Sequence, residues 1–340
     1  MVDETLDMLD FSGLEKFTQT QGFRGLARDI ISGEYVISPA AVFQSVINMF
    51  FGEITDNLSL LRNLAVLTLL GAVLRNMTDS FKNKASAELG GYALTISVLL
   101  LMFASFRAAY DIASSVISRL TLLIEASIPV LTASVILSGN GAGAFILNPS
   151  LVFLSGVLAL FIKNFILTGI VMTNSVQMVN SLSEKDILTK LTEVCTKAIK
   201  FCLKLCVTIF MGVLALERLS VPAVKTLAGK AAKSAVNLVP VVGGALSSSV
   251  DTYFYLAKTV KNGVVSAFII SFALILALPA VKLAALSFLY RFAAGIIQPV
   301  CDPRIIKCLD AAADFAGLLL SSLLAVSVMF LFVLIIVVTF

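Results

Sequence analysis

The chain has 340 residues, 59% of them apolar and 14% charged, with a net charge of +4. Soluble domains are about 45–50% apolar and about 25% charged. With a mean hydropathy of +0.99, this composition excludes an ordinary pair of soluble domains and implies an integral membrane protein. There is no His and no Trp, so His-based triads, His metal ligands and an imidazole switch are excluded. No GxxxxGK[ST] run exists, so nucleotide is not bound through a P-loop. Cys195, Cys202, Cys206, Cys301 and Cys308 form no CxxC pair, which leaves a zinc or thioredoxin-type site nothing to rest on. No catalytic, metal or cofactor residues and no nucleic-acid partner are expected.

In chain order, residues 1–37 form an acidic leader. Residues 1–35 carry seven acids against Lys16, Arg24 and Arg28, so the remainder of the chain is strongly basic. The leader lacks the basic and apolar regions of a signal peptide and reads as the start of a mature chain, on the extracytoplasmic side. Residues 38–57 place Val42, Val46, Met49, Phe50 and Ile54 on one stripe, the pattern of an amphipathic interfacial helix.

Spanning the hydrocarbon takes about 20 mostly apolar residues. Charge-free runs of 18, 37, 20 and 20 residues lie at 89–106, 126–162, 164–183 and 262–281, and the last 26 residues carry no charge. Two shorter runs, 63–74 and 205–216, span only if flanking Arg and Lys snorkel. The sum is an all-α, polytopic membrane protein with about seven spanning helices plus amphipathic and re-entrant helices. A first bundle covers 58–183 and a second covers 184–340. In the 37-residue run, Gly139, Asn140, Gly141 and Gly143 supply a hairpin turn.

Residues 184–204 read as a basic cytoplasmic helix. At 221–238, Val221, Val224, Ala228, Ala231, Ala235 and Leu238 follow helical spacing while Lys225, Lys230 and Lys233 fall off that stripe as a basic face. A basic helix of small residues packs closely on a neighbour or lies on anionic headgroups. The stretch 238–252 holds Pro240, Gly243, Gly244 and Asp251 in an otherwise uncharged run. Irregular backbone at membrane depth is tolerated only inside protein or beside water, so this is the expected broken-helix or pore element. Asp251 also suits a helix N-cap. Ile128-Pro129 and Val239-Pro240 recur at an offset of 111, as do Arg107 and Arg218, which suggests duplicated halves of the kind found in transport folds.

Val239-Pro240-Val241-Val242-Gly243-Gly244 with Asp251-Thr252, then Lys261-Asn262-Gly263, Ala277-Leu278-Pro279-Ala280-Val281-Lys282, Gln298-Pro299-Val300 and Asp302-Pro303-Arg304-Ile305 resemble the stage III sporulation protein AE family of endospore-forming bacteria. Phe50-Phe51-Gly52-Glu53, Leu60-Leu61-Arg62 and Ala72-Val73-Leu74 extend the resemblance upstream. It implies a secretory signal ahead of the mature start and, against Thr339-Phe340 here, a polar tail beyond the end. It also implies a non-enzymatic component of the channel between mother cell and forespore, in the mother-cell-derived membrane. The implied partners are ring-forming subunits and a separate ATPase, in keeping with the missing P-loop. A homo-oligomeric core or scaffold of that channel is the expected function. The alternative is an autonomous secondary transporter with a midplane site at broken helices near 139–149 and 240–251.

Overall fold

A computed structural model describes residues 6, 9–11, 14, 22–32, 39–59, 62–63, 65–67, 70, 73, 84–137, 149–182, 187–236, 243–299 and 303–339. Over 84–92, 217–236 and 243–254 the structure describes helical backbone alone. The regular elements are all helical: α1 (Gly22–Ser32), α2 (Pro39–Asp56), α3 (Lys84–Leu137), α4 (Pro149–Phe161), a π-helical turn (Ile162–Ile166), α5 (Leu167–Leu182), α6 (Thr189–Val236), α7 (Gly243–Ile297) and α8 (Pro303–Thr339).

Among the described residues, five helices are long and apolar enough to cross a membrane: Ile96–Leu137, Leu151–Ser181, Thr189–Leu216, Lys258–Ile297 and Pro303–Ile336. The protein is thus an all-α, multi-pass membrane protein. Within the described residues some stretches that charges separate in the sequence are joined in space, and the short run 63–74 lies partly outside those residues. Arg107, Asp111 and Arg119 lie within α3 rather than between two helices, and Pro129 sits inside it as well. Lys163 falls in the π-helical turn, which carries α4 into α5 without a break. The basic helix 184–204 was expected to run into the short span 205–216, with 221–238 as a further amphipathic helix. From Thr189 to Val236 they form one helix, since helical spacing continues through the charged positions and Gly212 is carried within it.

The helices α3, α7 and α8 pack on one another and α5 packs on α8, around a core that includes Phe106, Phe210, Phe268, Phe315 and Phe330. Contacts between them fix their relative directions. Cys308 approaches the Met178 carbonyl at 4.0 Å, while Ile170 and Leu318 line one cavity, so α5 and α8 run antiparallel. Lys163 reaches Ser118 while Phe103 and Ser175 share a cleft, so α3 is antiparallel to α5 and therefore parallel to α8. Phe106 packs on Phe315 with ring centroids 4.6 Å apart, and Arg291 binds Asp314 at 3.0 Å.

This register locates the hydrocarbon layer. Beyond Asp314, α8 has no charged residue. The 22 residues Phe315–Ile336 would span about 33 Å at 1.5 Å per residue, close to the roughly 30 Å apolar thickness of a bilayer. At one edge of that layer lies a polar belt. There Tyr290 hydrogen-bonds Ser105, Ser287 donates to the Ala313 carbonyl at 2.9 Å, and the Arg291–Asp314 pair closes.

Two elements dock on α7 from outside. Phe23 of α1 meets Phe268 with centroids 4.4 Å apart, and α1 crosses α7 at Gly263. On α2, Val42, Phe43, Val46, Met49 and Phe51 remain exposed, while Phe50 packs against Phe288 and Glu53 pairs with Lys282 at 3.4 Å. Of the apolar stripe expected at 38–57, Val42, Val46 and Met49 turn outward, while Phe50 of the same stripe, together with Glu53, holds the helix to α7.

Candidate functional site

Three helix faces that carry polar residues at helical spacing converge at one end of the bundle. On α5 these are Thr173, Asn174, Gln177, Asn180 and Ser181; on α6, Thr189, Thr192, Glu193, Thr196, Lys197 and Lys200; on α8, Lys307, Asp310 and Asp314. Together they line a cavity of about 470 Å³, within the size range of small-molecule sites. Its floor is neutral and buried, with Asn174, Asn180, Ser181 and Thr192 all shielded, and its rim is charged and exposed.

Part of this polarity serves the fold. Asn180 accepts the Leu188 backbone N–H through Oδ1 at 2.8 Å and donates from Nδ2 to Thr189 at 2.9 Å, tying the end of α5 to the start of α6. Ser181 donates to the Gln177 carbonyl and Thr192 to the Thr189 carbonyl. Asn174 is different. It is 5% exposed and its Nδ2 has no hydrogen-bond partner, a state that costs about 1–3 kcal/mol for a buried polar group.

A second polar feature runs through the apolar layer. Over 104–127 the exposed residues of α3 are Ala104, Arg107, Ala108, Asp111, Ser115, Arg119, Leu122 and Glu125. Four are charged and Leu122 is the sole large apolar one. The outer face of α4 and α5 contrasts with it, presenting Phe153, Val157, Leu160, Phe161, Phe165, Met172 and Val179, as a lipid-facing helix should. Beside the α3 face, the π-helical turn brings Lys163 Nζ to donate to Ser118 Oγ at 2.7 Å, and Ser118 in turn donates to the Ser114 carbonyl at 2.9 Å. A π-turn inside an α-helix is rare and frequently found at functional sites. Intramembrane ionisable groups normally face a bundle interior or a water-filled cavity.

The residues singled out from the sequence lie elsewhere. Gly243, Gly244 and Asp251 fall in the first turns of α7, and Lys225, Lys230 and Lys233 in the last third of α6. Pro240 and the hairpin residues Gly139, Asn140, Gly141 and Gly143 lie outside the described residues. Sequence reasoning missed the cavity because the run 164–183 is uncharged and reads simply as a span. The signal was present: Asn174, Gln177 and Ser181 recur at i, i+3, i+7, and Lys307, Asp310 and Asp314 at the same spacing, each set on one helix face. Among the described residues there is no group of His, Cys, Asp and Glu fit to hold a metal ion.

A multi-pass helical bundle with a polar cavity and a charged face within its apolar layer defines the class: a membrane protein whose spans enclose polar surface. The stage III sporulation protein AE family model matches residues 22–340, and the chain belongs to that family. It is 26% identical over 333 residues to stage III sporulation protein AE of Bacillus subtilis (strain 168), covering 98% of this chain and 82% of that protein. No solved structure matches.

Proposed function

We propose that this sporulation-family membrane protein is the non-enzymatic core of a multi-protein, secretion-like channel complex in endospore formation. In this reading several copies assemble in the mother-cell-derived membrane around the forespore, with the leader outside the cytoplasm. Ring-forming subunits and a separate ATPase complete the complex. The observation that carries the reading is the exposed face of α3. It crosses a bilayer-thick layer with Arg107, Asp111, Arg119 and Glu125 and a single large apolar side chain. Lipid does not tolerate such a face, whereas an aqueous conduit between copies does. The hydroxyls of Ser115, Ser118 and Thr121 are already satisfied by carbonyls of their own helix, so the charges alone demand water or a partner. The stretch around Pro240, Gly243, Gly244 and Asp251 is proposed to line or gate the path, and Lys225, Lys230 and Lys233 to serve a polar lumen or an anionic partner surface.

The test is native mass spectrometry of the protein extracted from sporulating cells. The expected species are homo-oligomers, with further channel subunits attached. A clean monomer that associates with nothing contradicts the reading. The polar cavity favours the alternative, an autonomous secondary transporter, and gradient-coupled uptake of a defined solute into liposomes holding this chain alone would establish that instead.

A further inference from the structure

We propose that a groove between α6 and α8 binds one anionic diacyl phospholipid, with its phosphate on Lys200 and Lys204 and an acyl chain laid along the groove. The groove holds about 420 Å³, with Leu203 and Val207 of α6 on one side and Leu318 and Ala325 of α8 on the other. Lys200 and Leu318 also border the polar cavity, so the groove begins where that cavity ends, and α6 and α8 run parallel along it. From Lys200 to Thr208 it extends about 12 Å at 1.5 Å per residue. That is most of the roughly 15 Å that one leaflet's hydrocarbon occupies. Its two hydroxyls are engaged on their own helices: Thr208 donates to the Lys204 carbonyl and Ser321 to the Gly317 carbonyl, each at 2.8 Å. Below the lysines the walls leave no free donor and suit a hydrocarbon chain.

Charge selects the headgroup. Lys200 and Lys204 are the charged residues lining the groove, and among the described residues no carboxylate pairs with either. The acids of the adjoining cavity lie toward water. Glu193 pairs with Lys190 at 3.6 Å and Asp314 with Arg291 at 3.0 Å. Asp310 and Lys307 stand about 12 Å or more along α8 from Leu318. Both groove lysines sit inside the apolar layer, since Lys200 is level with Leu318, beyond Asp314. Helix side chains lean toward the N-terminus, and the N-terminal end of α6 is its polar end. Snorkelling therefore carries both ammonium groups to the depth of a phospholipid's phosphate, and a charge there is costly without an anion. A water-soluble anion would leave the apolar groove unfilled, and a zwitterionic lipid would bring its own cation against the lysines. A basic pocket between spanning helices is a recurrent site for anionic headgroups. The site stands apart from the oligomeric conduit, because a single chain supplies both walls.

The test is native mass spectrometry of the full chain in detergent, titrated with phosphatidylglycerol, with phosphatidylcholine of the same acyl chains, and with glycerophosphate as the headgroup alone. Phosphatidylglycerol should saturate at one tightly held molecule per chain and bind about tenfold or more tightly than phosphatidylcholine, as two lysines beside an anionic headgroup imply. Glycerophosphate should not bind. Changing Lys200→Gln and Lys204→Gln together should cut the preference to about twofold or less. Ser321→Phe, at an exposed position on the groove, should weaken phosphatidylglycerol to a similar degree although both lysines remain. Lys258→Gln, exposed on α7, should keep the full preference, and circular dichroism checks that each variant is folded. The proposal is overturned if the two lipids bind equally, if glycerophosphate binds as tightly as the lipid, or if the double lysine variant or Ser321→Phe binds as the wild type does. A loss in Lys258→Gln as large as in the double variant would make the effect one of net charge and overturn it too.

Discussion

Replacing Arg119 and Glu125 together by leucine should leave the protein helical and membrane-inserted but reduce spore formation in its native host to that of a strain lacking the gene. The two possible environments of α3 predict opposite outcomes. A charged residue at the centre of a span costs on the order of 2.5–3.5 kcal/mol in lipid, so if this face met acyl chains, two leucines would stabilise the protein and leave function intact. If it borders an aqueous path, the same change coats the path with apolar surface and removes two of the four charges that line it. Both side chains are exposed and neither sits in the core, so loss of function would not reflect loss of packing. Normal sporulation of the double variant, with a raised melting temperature, would place the face in lipid.

The second large effect concerns Gly263. Gly→Ala in a helix interior ordinarily stabilises by about 1 kcal/mol, and Gly156 and Gly295, with nothing within 4 Å of an added Cβ, should behave that way. At Gly263 an added Cβ would overlap the Ile31 side chain, with the Ala27 carbonyl oxygen 3.6 Å away. The substitution Gly263→Ala should therefore destabilise by about 1–3 kcal/mol, the usual cost of overpacking. The effect should appear as the undocking of α1. Its Phe23, which packs at a tilt between Phe11 and Phe268, would leave its pocket, and limited proteolysis should cut near α1 before the spans unfold. Equal melting temperatures for Gly263→Ala and Gly156→Ala would refute the close crossing.

Much of the fold was legible in the sequence for a simple reason. The bilayer requires long uncharged helices, and composition alone reports them. The lengths of those helices were not legible. A charge such as Lys163 or Arg107 marks the end of a span only when it must reach water, and here each is accommodated within a continuous helix. Lys163 does so through a π-turn and the Ser118 hydroxyl, and Arg107 does so on a face shared with Asp111, 3.9 Å away. The cavity was hidden for the converse reason. Asn174 and Gln177 are uncharged, so they vanish in a hydropathy profile although their spacing puts them on one face. What brings them opposite Asp310 is the antiparallel packing of α5 and α8, which no local pattern encodes.

The claim at the centre of this account is that the exposed face of α3 borders water within the membrane. Replacing the native cysteines and introducing Ser115→Cys in one protein and Phe165→Cys in another permits a direct comparison in intact membranes, using a charged, membrane-impermeant thiol reagent. Phe165 is 69% exposed on the lipid-facing side, level with Ser115. The account predicts rapid labelling at position 115 and none at 165, and equal protection of both positions would contradict it.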